Sequence, residues 1–138
     1  MLRIKSDARR LTKEHNEKVT ARTAKFTIIT CNLGSVGMGK IHEMIQAFPD
    51  REAYCISEMY IEHKVITDQT TWPNGYSLVA SEPSPIDGLS FSCIIFKNHY
   101  EVKSIVKGIH QNTALTLKVN DRIITLSSFY NFNIGGEI

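Results

Sequence analysis

The alternation of hydrophobic and polar residues predicts two parallel strands early in the chain, with one helix between them. An apolar stretch, Phe26–Cys31, runs into Asn32, and a second stretch, Ala53–Ser57, runs into Glu58. Between them, apolar side chains recur at helical spacing up to Pro49, namely Ile41, Met44, Ile45 and Phe48. Because a strand–helix–strand unit is normally a right-handed crossover, Asn32 and Glu58 should meet at one edge of a sheet.

The rest of the chain predicts further strands, and from Leu89 onward it alternates with a period of two. They are expected over residues 76–80, 89–96, 100–106, 113–119 and 122–130. Residues 89–96 are apolar on both faces, so this strand should be central and buried. Asn120-Asp121 predicts a tight hairpin turn, whereas residues 61–75 are polar and irregular. The predicted fold class is therefore an α/β sandwich, parallel at its start and antiparallel afterwards.

The formal net charge of +2 conceals an uneven distribution. Residues 1–25 carry eight Lys or Arg against three Asp or Glu, whereas residues 26–138 carry eight against eleven. We therefore divide the chain into a basic N-terminal tail, residues 1–25, and a slightly acidic domain, residues 26–138. A basic tail suits the phosphate backbone of a nucleic acid, but a solvated leader or linker accounts for the same composition.

Cysteine usage and hydropathy indicate an intracellular protein, cytoplasmic or nuclear. Cys31, Cys55 and Cys93 lie in predicted strands without C-x-x-C spacing, so buried thiols are expected rather than disulfides or zinc ligands. The histidines show no ligand spacing, and His42 and His63 are expected on solvated surfaces. No apolar run approaches the ~20 residues that span a bilayer, so no membrane partner is expected.

The segment before the predicted helix contains a phosphate-binding pattern. Gly34–Lys40 matches G-x-x-x-x-G-K between a strand and a helix, as a nucleotide-binding P-loop does. The next position, where such a loop has Ser or Thr to reach Mg²⁺, is Ile41, which also begins the apolar stripe. A flexible glycine turn is the simpler interpretation. Binding of ATP or GTP through Gly34–Lys40 stays open as an alternative function.

Four segments together resemble the motifs of a known family, in the same order and at the same spacing. They are Lys25–Gly34, Pro49–Glu58, Gly88–Phe96 and Ile123–Asn133. The first resembles a strand ending in W-N, the second P-D-I-L-x-L-Q-E, the third a glycine-led central strand, and the fourth a strand ending in Y-x-P-N. The family is that of the endonucleases, exonucleases and phosphatases. Its most similar branch is the endonuclease domain of non-LTR retrotransposons, which nicks target DNA to prime reverse transcription.

The resemblance implies a fold, a cofactor and a set of site residues. The fold would be a four-layer α/β sandwich, and the cofactor would be Mg²⁺ (or Mn²⁺), which binds the scissile phosphate of DNA during phosphodiester hydrolysis. Glu58 would be the metal ligand, and Asn32 would orient Glu58 or the nucleophile. Tyr130 would stabilise charge on a phosphate oxygen and complete the catalytic set. Asn133 would help to hold the DNA backbone.

The chain departs from the family in ways that bear on activity. Cys31 stands where the motif has Trp, and Gly34 stands where the family frequently has Asp or Asn. Ser57 stands where the motif has Gln. No segment matches the family's G-D-F-N or S-D-H motifs, so we expect about the first half of the domain, inactive as a nuclease when alone. Such a half should contain about one of the two sheets and leave an apolar face exposed. The expected partner is the rest of a longer polypeptide, a second copy or another protein.

Two further functions stay open at this point. A non-enzymatic remnant would keep the half-fold and bind nucleic acid or a protein through its basic tail. A related enzyme would act on a phospholipid or an inositol phosphate, because the first half of the family does not separate these substrates from DNA.

Overall fold

The computed structural model describes residues 26–35, 37–68, 72–108 and 112–129. In that part of the chain neither of the two helices is long and apolar enough to cross a membrane. The elements, in chain order, are β1 Ile28–Ser35, α1 Met38–Ala47, β2 Ala53–Glu62, α2 His63–Thr67, β3 Tyr76–Ala80, β4 Leu89–Lys97, β5 Glu101–Lys107, β6 Asn112–Val119 and β7 Arg122–Phe129.

The strands form two sheets. Sheet 1 has the order β1-β2-β4-β3, and sheet 2 has the order β5-β6-β7. β1 and β2 are parallel, as a helical crossover requires, and the other neighbouring pairs are antiparallel. β4 lies between β2 and β3 and is buried from Ser90 to Phe96. The predicted parallel start, antiparallel continuation and central β4 are therefore confirmed.

The two helices cover one face of sheet 1. α1 places Ile41 and Ile45 on the same side, and both are buried against β2 residues such as Ile56. The Tyr54 hydroxyl donates a hydrogen bond of 2.6 Å to the Phe48 carbonyl, which ties the end of α1 to β2. These contacts fix the crossover that makes β1 and β2 parallel.

The opposite face of sheet 1 packs against sheet 2. β7 lies over β2 and β4, and β6 lies over β4. The core between the sheets consists of buried apolar side chains from both, namely Ala53, Cys55, Val79, Ile94, Phe96, Leu115, Leu117, Val119 and Leu126. The expectation of about one sheet was therefore wrong. The strands β5, β6 and β7 form a second sheet of the same chain, and the alternating apolar residues of β6 and β7 cover this face of sheet 1.

Both strands of the parallel pair extend past the residues at which the sequence predicts their ends. β1 continues through Asn32 to Ser35, and β2 continues through Glu58 to Glu62. The strand pairing becomes irregular at this level. An irregularity of this kind interrupts the alternation of side chains that marks a strand in the sequence.

Residues 61–75 contain more order than their composition predicts. Ile61 and Glu62 complete β2, and α2 follows directly, with Ile66 buried in the core on the helix side of sheet 1. A five-residue helix is too short to show a helical period in the sequence.

The turn prediction is confirmed, and the cysteine prediction is confirmed in part. At the hairpin, Val119 pairs with Arg122, and Asn120 has the positive φ of 57° that tight hairpin turns require. The three cysteines are free thiols, two of them buried and one half-buried: Cys55, Cys93 and Cys31.

A charged cluster closes the sandwich at the end opposite Asn32. The Lys97 ammonium lies 2.8 Å from an Asp50 carboxylate oxygen and 3.0 Å from one of Glu52. Hydrogen bonds to these carboxylates, Asp50 first, raise the pKa of Lys97 above its ordinary value, and the Lys97 hydrogen bond lowers the pKa of Asp50. Glu52 also accepts a hydrogen bond of 3.1 Å from the Thr27 hydroxyl. Because Lys97 forms an ion pair with both carboxylates, we assign this cluster a structural role.

Sheet 2 retains exposed apolar side chains within the described part of the chain. Every residue of β5 is exposed, and Ile105 and Val106 there are 44% and 58% accessible. Ile123 of β7 is 59% accessible. Sheet 2 therefore offers apolar surface that further protein could cover.

The packing of the two sheets predicts different effects for two apolar truncations. Leu115→Ala should lower the free energy of unfolding by about 2–5 kcal/mol, because Leu115 is fully buried between the sheets. Ile123→Ala, on an exposed position, should change it by only about 0.5 kcal/mol. Urea denaturation measures both values, and equal effects would contradict the two-sheet core.

Candidate active site

The structure brings Asn32 and Glu58 to the same edge of sheet 1. Asn32 pairs with Ser57 across the parallel β1–β2 ladder, and Glu58 is the next residue of β2. Asn32 is exposed and Glu58 is half-buried. The crossover through α1 therefore places an amide and a carboxylate at the carboxyl side of the parallel pair.

The backbone of Glu58 adopts a left-handed conformation, with φ of 51°. Residues other than glycine rarely do so. The pairs Asn32–Ser57 and Ser35–Met59 enclose two residues on β1 but only Glu58 on β2. The mismatch takes Glu58 out of the regular pleat of the strand.

The pairing is also irregular on the other side of β2. The pairs Ser57–Ser92 and Ile61–Ser90 enclose three residues of β2 but one of β4. Glu58 is thus the first residue of an irregular segment that lies between two regular ladders. Backbone strain that the surrounding structure maintains in this way is typical of functional sites.

A cleft of about 290 Å³ opens beside this edge, between the two sheets. Within the described residues, β7 lies over β2 and β4, and the cleft is lined by β1 and β2 on one side and by β7 on the other. The lining is neutral and consists of small side chains: Thr30, Cys31, Asn32, Cys55, Ser57, Ser127 and Ser128. Glu58 is not part of the lining but follows Ser57 directly. The site thus combines a hydroxyl- and amide-lined cleft with one adjacent carboxylate.

Polar side chains also join the two sheets at this end of the sandwich. Ser92, opposite Ser57 in sheet 1, lies with its Oγ 3.0 Å from Thr113 Oγ1 of sheet 2. Ser128, opposite Thr113, donates its hydroxyl to the Ile56 carbonyl at 2.5 Å. Sequence reasoning missed Ser92, Thr113 and Ser128. The available signal was the appearance of hydroxyl residues at core-facing positions of otherwise apolar strands.

The thiol of Cys55, which lines the cleft, is unreactive. Burial raises the pKa of Cys55 to about 11. The side chain therefore stays protonated near neutral pH, where it is neither a nucleophile nor a metal ligand. The other polar groups of the cleft are its hydroxyls, the Asn32 amide and the Cys31 thiol, and Glu58 lies beside them.

The described residues offer an incomplete set of metal ligands. Within them, no group of three or more His, Cys, Asp or Glu side chains is placed to bind one ion. Glu58 and Asn32 nevertheless provide hard oxygen atoms of the kind that Mg²⁺ prefers. Mg²⁺ is commonly bound through one or two carboxylates, with water and phosphate oxygens completing the shell. The donors present fit such an ion in kind.

Two of the predicted site residues lie outside the described residues. Tyr130 and Asn133 follow the end of β7 at Phe129. Their predicted roles toward a phosphate oxygen and the DNA backbone therefore stay predictions.

The P-loop pattern does not form a separate loop. Gly34 and Ser35 belong to β1, and α1 begins at Met38 with Gly37 as its N-cap. Ile41, at the position of the missing hydroxyl, is completely buried in the core. Strand and core residues thus occupy positions that a phosphate-binding loop would need, which weighs against a nucleotide site here.

His63 has a structural role that the sequence did not indicate. Its Nδ1 lies 2.8 Å from Ser90 Oγ, and Ser90 donates its own hydroxyl to the Ser81 carbonyl at 2.7 Å. The His63 backbone N–H donates to the Gly88 carbonyl. These bonds hold the loop between β3 and β4 against the end of β2. The expectation of a solvated His63 was therefore wrong. His42, also expected on a solvated surface, is half-buried and stacks on Trp72.

Solved structures of similar fold support the predicted class. The endonuclease domain of TRAS1, a telomere-specific non-LTR retrotransposon, superposes on 77% of this chain with a TM-score of 0.55 and 14% sequence identity. ANGEL2, a 2′,3′-cyclic phosphatase, superposes on 76% with a TM-score of 0.57 and 13% identity. No protein-family model and no curated protein sequence matches the chain.

These similarities define the class of fold. The chain has an endonuclease/exonuclease/phosphatase-like fold, and the predicted partial α/β sandwich is confirmed. It spans 44% of the TRAS1 domain and 40% of the ANGEL2 chain. At such low identity the likeness concerns the fold, so substrate and activity depend on the site itself.

The left-handed conformation of Glu58 predicts an unusual response to glycine. Glu58→Gly should raise the free energy of unfolding by about 1 kcal/mol, because glycine adopts this φ without strain. Glu62→Gly is the matched control on the same strand. Glu62 has φ of −56°, so this change should lower the free energy of unfolding by about 0.5–1 kcal/mol. Equal losses in urea denaturation would show that Glu58 is not strained.

Proposed function

We propose that this chain is the part of a metal-dependent phosphodiesterase domain that carries Asn32 and Glu58. The proposed substrate is DNA, nicked as in retrotransposition by an endonuclease of the type associated with reverse transcriptases. The chain is proposed to be inactive alone, because it matches less than half of the length of either fold neighbour.

One observation carries the proposal. Glu58 occupies a strained backbone position directly after the residue that pairs with Asn32. A solvated glutamate at a strand end needs no such geometry. Strained backbone positions cluster at functional sites, and this one lies where the regular parallel ladder ends, the side of an α/β sheet that usually binds ligands.

The proposed cofactor is Mg²⁺ or Mn²⁺. When bound, the ion would supply positive charge that polarises a phosphate and stabilises the transition state. Glu58 would hold the ion through its carboxylate, and Asn32 would accept or donate a hydrogen bond beside it. The neutral hydroxyls of Ser57 and Ser127 in the cleft are suited to contact phosphate or sugar oxygens without competing for the cation.

DNA is favoured over other phosphodiesters by two features. The first is the fold likeness to a retrotransposon endonuclease domain. The second is the basic tail, residues 1–25, which would attract a phosphate backbone. Because one of the fold neighbours is a phosphatase, another kind of phosphate ester is the alternative substrate.

A non-enzymatic binding protein is the second candidate. Its supporting observation is that, within the described residues, Glu58 does not belong to a group of three or more His, Cys, Asp or Glu side chains placed to bind one ion. Such a protein would bind DNA in a salt-dependent manner without cutting it.

The exposed sheet 2 supports a partner in either case. We propose that further polypeptide of the same chain covers β5 and the exposed side of β7, with a second copy or another protein as the alternatives. Sequencing the source transcript past the codon for Ile138 tests this directly. An open reading frame with further sandwich strands is expected, and a stop codon there would contradict it.

Metal binding provides the test of the site. Isothermal titration of the full chain with Mn²⁺ should show binding that Glu58→Gln weakens by at least the roughly 10–100-fold that changes around metal ligands cause. Glu62→Gln removes a carboxylate from the same strand, four residues away from the site, and should leave the affinity unchanged. Equal affinities of all three proteins would contradict the assignment of Glu58.

Nicking of supercoiled plasmid distinguishes the two candidate functions. The full chain alone should bind DNA with an affinity that falls as salt rises, and should not nick it. A longer polypeptide with the remaining strands should nick DNA in Mg²⁺, and Glu58→Gln should abolish the nicking. Binding without nicking by both proteins would favour the non-enzymatic function.

A further inference from the structure

The hydrogen bonds between the two sheets are concentrated at the end of the sandwich that carries the cleft. Elsewhere the interface is apolar, as at Ile94 and Leu115. At the cleft end, Ser92 and Thr113 form one contact between the sheets, and Ser128 and the Ile56 carbonyl form the other. Burying a hydroxyl between sheets requires such a partner, whereas an apolar side chain would not. These two bonds therefore call for an explanation beyond simple burial.

The two bonds differ in what they hold. Ser92–Thr113 joins β4 to β6, at a level where β6 is regular and where Ser92 forms the last regular pair of β4 before the irregular segment. Ser128 joins β7 to the backbone of β2, and its acceptor is the carbonyl of Ile56. Ile56 immediately precedes Ser57 of the cleft and stands two residues before Glu58.

The Ile56 carbonyl lies one residue before the point at which the pairing of β2 with β1 and β4 becomes irregular. Beyond Ser57, neither β1 nor β4 continues in register with β2. Ser128 belongs to sheet 2 and is only 5% exposed. Its hydroxyl donates a hydrogen bond of 2.5 Å to the Ile56 carbonyl, which belongs to the last regularly paired peptide of β2. A peptide fixed at this point limits the directions in which the following two residues can leave the strand.

We propose that Ser128 is a positioning residue for the site. It acts through the Ile56 carbonyl to place Ser57 in the cleft and to maintain the left-handed conformation of Glu58. The proposal rests on the proposed function for its effect on metal binding. Its structural part, the effect on the backbone of β2, stands without that function.

The test compares three variants of the full chain. Ser128→Ala removes the bond to Ile56, and Ser128→Thr keeps a hydroxyl. As the control, Ser92→Ala removes the Oγ–Oγ1 contact with Thr113, while the Thr113 hydroxyl stays 3.4 Å from the Ser92 carbonyl. Urea denaturation of each variant reports the general cost of losing a buried hydrogen bond. Ser128→Ala and Ser92→Ala should lower the denaturation midpoint by similar amounts.

Amide hydrogen exchange and Mn²⁺ titration then separate positioning from stability. In Ser128→Ala, the amides of Glu58 and Met59 should exchange faster and Mn²⁺ affinity should fall roughly ten- to a hundredfold, as for other changes behind a metal ligand. Ser92→Ala should show neither effect, and Ser128→Thr should restore both toward the parent values. Equal effects of Ser92→Ala and Ser128→Ala, or none from either, would overturn the proposal.

Failure of the proposed function would look different. If the parent chain binds no Mn²⁺, the metal assignment fails while hydrogen exchange still decides the structural part. Faster exchange at Glu58 in Ser128→Ala alone would support the positioning role, and unchanged exchange there would contradict it.

Discussion

The parallel pairing of β1 with β2 is the constraint on which the rest of the structure depends. It is imposed by α1, whose buried Ile41 and Ile45 hold the crossover against one face of the sheet. Parallel pairing sends both strands to the same edge, so Asn32 and Glu58 become neighbours although they are far apart in sequence. The opposite face of the same two strands is then free to pack on sheet 2, and the cleft is lined by β1 and β2 on one side and by β7 on the other.

The two ends of the sandwich differ in a way that follows from their chemistry. At the end with Lys97, an ammonium group forms ion pairs with two carboxylates, and apolar residues fill the space between the sheets. At the cleft end, hydroxyls replace apolar side chains, the ladder of β2 becomes irregular, and a glutamate without a described basic partner lies beside neutral donors. A carboxylate in such surroundings keeps its charge available for a cation, which is why the proposed metal site is at this end.

Much of the fold was predictable because periodicity reports the packing of regular elements directly. The stripe through Ile41 and Ile45, the doubly apolar β4 and the Asn120-Asp121 turn were each predicted from local pattern and are present. The second sheet was not expected, although its strands were. Whether strands join one sheet or form a second depends on contacts between distant residues, which local alternation does not contain.

The site was predictable only to the extent that a motif marked it. Asn32 and Glu58 could be singled out because strand-end polar residues and a family resemblance agreed on them. Ser128 and Ser92 were missed because a buried serine looks ordinary in sequence, and its significance lies in a partner from the other sheet. His63 was misjudged because its hydrogen-bond partners, Ser90 and Gly88, are distant from it in the sequence.

Paramagnetic broadening by Mn²⁺ in amide NMR spectra of the full chain tests the central claim most directly, because it locates the ion. The account predicts that the amide signals of Asn32, Ser57 and Glu58 broaden first, and that those of the Asn120–Asp121 hairpin at the far end of the sandwich stay sharp. Broadening centred on Asp50 and Glu52, or spread evenly over the chain, would contradict a cation site at the carboxyl edge of the parallel strands.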